Sequence, residues 1–101
     1  MKFFYVTCRD KNEAKQIAFA LLEQKLVFCA NIIPFVDSYF YEGDKITSSE
    51  ESVLVLKTET QNAKKVEQEI VNLHSYDVPA IVNFDCHANF EFASIVAKVV
   101  A

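Results

Sequence analysis

Apolar residues change period several times along the chain, and each change marks an element. Lys2 to Cys8 is dense in aromatic and β-branched residues and predicts a strand. Asp10-Lys11-Asn12-Glu13 then supplies an Asp-x-x-Glu capping pattern. Ala14, Ile17, Ala18, Leu21 and Leu22 follow at helical spacing, which predicts an amphipathic helix as far as Lys25. Val27 to Tyr41 is the longest extended stretch, interrupted by Pro34, where a missing amide proton predicts a bend or bulge. Glu42-Gly43-Asp44 is the one strong turn, because Gly43 is free to take positive φ. Lys45-Ile46 resumes pairing before the polar segment Thr47-Ser48-Ser49-Glu50. Ser52 to Thr58 is the third strand, with Val53-Leu54-Val55-Leu56 apolar on both faces. Ala63, Val66, Ile70 and Leu73 mark a second helix, with Thr60 as its cap. Val78 to Phe84 is a fourth strand, and Asn89 to Val100 a short closing helix.

The order βαββαβ plus a final helix is the split-βαβ, ferredoxin-like arrangement of the α+β class: an antiparallel sheet with helices on one face. The uncovered face of such a sheet should be polar, but the second strand is apolar on both sides. Phe35, Tyr39 and Tyr41 lie on one side, and Val36 and Phe40 on the other. The chain has no spare element to cover that face, so a second copy of itself is the best candidate.

Composition strengthens this. The chain has 101 residues, read as a single domain over 1–101, and 51% are apolar with only one Gly and two Pro. Ordinary globular chains reach about 45–50% apolar with Gly included. A small domain with this excess buries a further surface by self-association. Disorder and collagen-like repeats are excluded by the same numbers.

Charge and cysteine usage narrow the function classes. Ten Lys plus Arg stand against fourteen Asp plus Glu, a net charge of −4, with the lysines scattered and Arg9 the sole arginine. A nucleic-acid partner would need a basic stripe, so none is expected. No apolar run approaches the ~18 residues of a membrane span, so no membrane partner is expected either. The apolar start Met1 to Val6 turns polar at Thr7, Arg9 and Asp10, which reads as a cytosolic first strand rather than a secretion signal; a cytoplasmic protein is expected. Cys8, Cys29 and Cys86 are widely spaced and odd in number, which suggests neither a disulfide framework nor a zinc knuckle.

Several segments resemble the sequence blocks of a single known family. Cys29-Ala30-Asn31-Ile32-Ile33-Pro34 resembles its C-A-N-I-I-P block. Ser38 to Ile46 resembles its S-x-Y-x-W-E-G-K-I segment with one residue added, and Leu56-Lys57-Thr58 matches its L-K-T strand end. Leu73-His74-Ser75-Tyr76-Asp77-Val78-Pro79-Ala80-Ile81 resembles L-H-P-Y-E-V-P-E-I, and Thr7-Cys8-Arg9-Asp10 resembles its T-C-P-D start. These blocks resemble those of the CutA family, the divalent-cation tolerance proteins, and the resemblance implies a ferredoxin-like protomer in a tight homotrimer similar to PII signalling proteins, with a role in tolerance to copper and other divalent metals. Ser75 stands where the family has Pro and Ala80 where it has Glu. Phe40 and Tyr41 replace its tryptophan, which keeps apolar bulk.

A metal site needs thiolates or imidazoles within about 2.0–2.3 Å of one ion, and Cys with His suits copper or zinc. With strand order 4-1-3-2, Cys8 ends the first strand and His74 ends the second helix, at the same end of the sheet. Cys8 and His74 are therefore the candidate ligand pair, to be completed by water or a neighbouring subunit. The competing reading is a buried thiol and a histidine hydrogen-bonded at a helix end. Cys29 and Cys86 belong at the opposite end, three strand spacings or roughly 14 Å apart. Cys29 is expected in the core and His87 in solvent. Asn31 is expected to bind backbone near Pro34, and Tyr39, Tyr41 and Tyr76 to line a cleft or interface. No four-ligand cluster can be drawn, so folding is expected to need no metal.

No catalytic pattern stands out. A nucleophile elbow, a P-loop and a Gly-rich phosphate cradle are all lacking. Arg9 lacks the glycine-containing loop of an acylphosphatase, and Val53 to Lys57 lacks the aromatic signature of an RNA-recognition strand. The expected function is thus non-enzymatic: a trimer that binds metal ions or a small effector between subunits. The alternative is a structural or protein-interaction trimer whose thiols are core residues.

Overall fold

Strand β1 (Lys2–Cys8) gives way to helix α1 (Lys11–Glu23) at Asp10, whose extended backbone lets its side-chain oxygen accept from the Glu13 N–H at 2.8 Å. The capping pattern therefore forms as expected. In the computed structural model, which describes residues 1–100, there follow β2 (Cys29–Glu42), β3 (Lys45–Thr58), a 3₁₀ turn (Thr60–Asn62), α2 (Ala63–Leu73), β4 (Ile81–Asp85) and α3 (Phe90–Val99). The sheet order is β2-β3-β1-β4 and all pairings are antiparallel, which makes the fold ferredoxin-like.

Helix α1 stops two residues before the expected Lys25. Lys25 takes φ 56, its N–H bonds Leu22 O at 3.0 Å, and the Leu26 N–H bonds Leu21 O at 3.0 Å. This is a Schellman cap with lysine at the left-handed position that glycine normally fills. The left-handed backbone costs a non-glycine residue about 1–2 kcal/mol, and glycine's extra unfolded-state freedom offsets about half of that. Lys25→Gly is thus expected to raise stability by about 0.5–1 kcal/mol, read as a higher denaturation midpoint. A lower midpoint would contradict the cap.

Three other boundaries differ from expectation. The third strand does not begin at Ser52 but runs unbroken from Lys45, because Lys45 to Glu50 pair in register with Glu42 to Asp37. Backbone hydrogen bonds hold this hairpin, and its exposed polar side chains carry no hydrophobic period to read. The fourth strand begins at Ile81 rather than Val78, after a segment in which Pro79 has no amide to donate. Thr60 does not cap α2 directly; it opens the 3₁₀ turn, and no side chain caps either element. At fourteen residues each, β2 and β3 reach past the rest of the sheet, which accounts for extents of 45 × 23 × 22 Å.

The interruption at Pro34 is a β-bulge. Ile33 pairs with Val53 but Val36 with Glu51, so β2 carries one extra residue, and Phe35 takes φ 58 there. One extra residue exchanges the faces of everything after it. Val36, Ser38 and Phe40 consequently share a face with Ile33 rather than opposing it. The core lies on the helix side, where Phe4, Val6, Cys8, Leu54 and Leu56 pack against Ala14, Ile17, Leu21, Val66 and Ile70. The other face carries Phe3, Tyr5, Ile33, Val53, Val55, Val82 and Phe84 by alternation. Val53 and Val55 are buried on this face, whereas Tyr5, Ile33, Val82 and Phe84 stay exposed.

Candidate functional site

Three elements end at one point. Cys8 is the last residue of β1, Glu13 sits in the first turn of α1, and His74 caps the C-terminus of α2 with its N–H on Ile70 O at 2.9 Å. One donor atom from each of Cys8, Glu13 and His74 lies within 4.8 Å of the other two. It is the one such convergence among the described residues. Cys8 and His74 come together as the strand order requires, and Glu13 joins them as a third member.

The hydrogen bonds fix the imidazole. His74 Nε2 lies 2.8 Å from Thr7 O, and a carbonyl accepts only, so Nε2 carries the proton. Nδ1 then accepts from the Tyr76 N–H at 3.1 Å and faces Glu13 Oε1 at 3.8 Å. The Glu13 carboxylate accepts from the Arg9 N–H through Oε1 and the Ser75 N–H through Oε2, both at 2.8 Å. Burial opposes its ionisation. The bonds from Ser75 and Arg9, with the His74 ring beside it, outweigh burial and hold its pKa below the ordinary carboxylate value. Burial, and then the negative charges of Glu13, Glu51 and Asp10, push the Cys8 thiol up to about 12. Tyr76 stacks obliquely on His74 with ring centroids 4.7 Å apart, and its hydroxyl donates to Glu51 Oε2 at 2.6 Å. Burial, then that bond, raises the tyrosine pKa.

The set has the chemistry of a metal centre. Sulfur, imidazole nitrogen and carboxylate oxygen together suit zinc or copper, and an Nε2–H bound to a backbone carbonyl is how ligating imidazoles are held. Donors around a tetrahedral ion stand about 3.3–3.8 Å apart; Glu13 Oε1 and His74 Nδ1 already stand 3.8 Å apart, and all three donors lie within 4.8 Å of one another. The same atoms also form a complete hydrogen-bonded junction, in which Cys8 stays a thiol and Nδ1 is already used.

The other candidates fall elsewhere. Cys86 donates its N–H to Met1 O at 3.0 Å, and Cys29 pairs with Lys57, so both lie at the far end of the sheet from Cys8. Cys29 is not a core residue as expected. The alternation that buries Ala30 and Ile32 turns it to the opposite face, with Lys57 Nζ at 3.8 Å. Asn31 does not bind backbone at the bend. It points away from the core and accepts from Lys57 Nζ at 3.0 Å, because its pairing with Val55 turns it to the face that Lys57 also occupies. His87 is exposed as expected; Tyr39 and Tyr41 are exposed, and Tyr76 is half-buried. Glu13 is legible in the sequence only as a helix-cap residue. Its second oxygen's partner, Ser75, lies 62 positions away.

Comparison with known proteins follows the same lines. The sequence model of the CutA1 divalent ion tolerance protein family matches residues 2–98. A divalent-cation tolerance protein CutA of Thermococcus kodakarensis is 36% identical over 94% of this chain and 91% of its own. A solved structure from Archaeoglobus fulgidus, described as a periplasmic divalent cation tolerance protein CutA, superposes with a TM-score of 0.95. It is 33% identical and both chains are covered completely. A chloroplastic CutA 1 of Oryza sativa is 30% identical over 77% of this chain and 44% of its own. The expectation of a cytoplasmic protein is therefore corrected, since one relative is described as periplasmic and another as chloroplastic. In the described residues, no helix is long and apolar enough to cross a membrane. With 97 consecutive residues matched and a fold that superposes end to end, this chain belongs to the CutA1 divalent ion tolerance family.

Proposed function

We propose that the chain, acting as one domain over 1–101, works without catalysis in tolerance to divalent metal ions. In this reading it is a homotrimer that takes a metal ion or small effector in clefts between subunits. Cys8 and His74 are the protein's metal ligands, with Glu13 as the third. The convergence of these three side chains carries the reading. Copper or zinc fits the donor set best. The trimer is supported by the apolar sheet face and by the large side chains that β2 and β3 hold in solvent, among them Phe35, Tyr39, Tyr41 and Ile46. A second reading has an observation of its own: the protonated thiol and the fully used imidazole suit a structural junction in an interaction trimer.

Titration with zinc and with copper decides between them. One ion per chain, with binding lost in Cys8→Ser, is the expected result; no stoichiometric binding leaves the structural trimer standing. Binding must displace the thiol proton. Because that pKa is raised to about 12, apparent affinity is expected to rise about tenfold per pH unit across the neutral range. A pH-independent affinity would remove Cys8 from the ligand set.

Metal is not what holds the protomer together in this reading. A thirteen-residue buried cluster supports that reading. Chelation is expected to leave the melting temperature nearly unchanged, whereas a structural metal would make binding energy into folding energy. A sharp fall on adding chelator would reverse that conclusion.

A further inference from the structure

Beyond the bulge, the open sheet face sinks into a cavity of about 640 Å³ floored by Tyr5 and Thr7 of β1 and walled by Asp37, Phe40, Glu51 and Tyr76. The bulge makes this cavity, because it turns Val36, Ser38 and Phe40 toward Tyr5 and Glu51. No lysine, arginine or histidine lines it, while two carboxylates do. Glu51 is 92% removed from solvent, taken from its 8% exposure, yet only its Oε2 is engaged, by the Tyr76 hydroxyl. Its Oε1 takes part in no side-chain hydrogen bond and opens to solvent, since the one buried side-chain polar atom without a partner among the described residues is Asn62 Nδ2.

A largely buried carboxylate that keeps one oxygen open, ringed by aromatic faces, asks for a cation. It does not ask for a bare metal ion. Among the described residues no third His, Cys, Asp or Glu joins Glu51 within coordinating distance, the one such group being Cys8, Glu13 and His74. A cavity this wide, with phenyl and phenol rings on its walls, fits an ammonium head carried on an apolar body. The head would be held by Glu51 and by the π faces of Tyr5, Phe40 and Tyr76. Anions would meet two carboxylates and no counter-charge.

We propose that this cavity binds a small organic ammonium ion, with Glu51 as the charge partner and Tyr76 as the residue that positions it. This rests on the small-effector part of the function proposed above and names the chemical class of that effector. Ala80 leaves the rim of the cavity open where a larger side chain would narrow it.

The test uses the full chain and three probes of one shape: 2-phenylethylammonium, 2-phenylethanol and phenylacetate, followed by calorimetry or by chemical shifts of the cavity residues. The ammonium is expected to bind at least tenfold more tightly than the alcohol, and the carboxylate not to bind measurably. Glu51→Gln keeps an acceptor for the Tyr76 hydroxyl and is expected to weaken the ammonium at least tenfold while leaving the alcohol unchanged. Phe40→Leu keeps apolar bulk without the π face and is expected to weaken the ammonium several-fold, so a misfolded Glu51 variant would not remove the test. Equal binding of ammonium and alcohol, no binding by millimolar concentration, or insensitivity to both variants would overturn the proposal. Sedimentation of the same samples separates the two readings. Selective binding to a monomer supports the ammonium site and sinks only the subunit-cleft reading, whereas an intact trimer that fails to discriminate sinks only the ammonium site.

Discussion

Glu13→Ala is expected to lower protomer stability by about 3 kcal/mol, although Glu13 lies in neither a strand nor the apolar core. Its carboxylate satisfies the amide of Arg9, ahead of α1, and the amide of Ser75, just past α2. Truncation leaves both part-buried amides without an acceptor. Each charge-assisted bond is worth about 1.5–3 kcal/mol, and water admitted to the vacated space recovers part of that. Urea midpoints at fixed protein concentration provide the measurement, with Glu13→Gln expected in between because one carbonyl oxygen remains. A change below about 0.5 kcal/mol, the scale of ordinary surface substitutions, would show that the junction contributes nothing.

The acid limb of stability carries the same signature. The folded-state pKa of Glu13 lies below its unfolded value of 4.5, so its contribution is complete above pH 4.5 and is lost as pH falls through the lower, folded value. Wild-type protein should therefore lose stability more steeply than Glu13→Ala as pH drops below 4.5. Parallel acid profiles for the two proteins would contradict the lowered pKa.

Assembly carries the second large effect. The protein is expected to sediment as three 11.5 kDa chains, and Tyr39→Ala to weaken that association by about 2–4 kcal/mol. That is roughly 30- to 1000-fold in the dissociation constant. Tyr39 is 74% exposed in the lone protomer and packs into no core, so its truncation should spare the protomer fold while loosening contacts between protomers. A folded 11.5 kDa species of the unaltered protein at micromolar concentration would end the trimer reading. So would a Tyr39→Ala variant that assembles normally while chelator alone lowers the melting point.

What the sequence by itself determined is whatever short-range periodicity and local capping encode. The helical spacing from Ala14 to Leu22, the Asp10 cap, the bulge at Pro34 and the Gly43 turn are local features, and the strand order follows from the succession of elements. The pairing of Cys8 with His74 followed from topology alone, because strand order fixes which ends of the elements meet. The tertiary structure decided the polar details, since a polar residue shows no period and finds its partner only when the chain closes. Lys45 to Glu50 is strand because Asp37 to Glu42 lies beside it, not because of its own pattern. Asn31 turned to Lys57, 26 positions away, and Glu51 to Tyr76, 25 away. Glu13 became the keystone of the candidate site through Ser75, 62 positions distant. Burial of apolar side chains is a sum over many weak contacts and tolerates reading one residue at a time; a hydrogen bond needs two named atoms at about 2.8 Å, and only the closed fold brings them there.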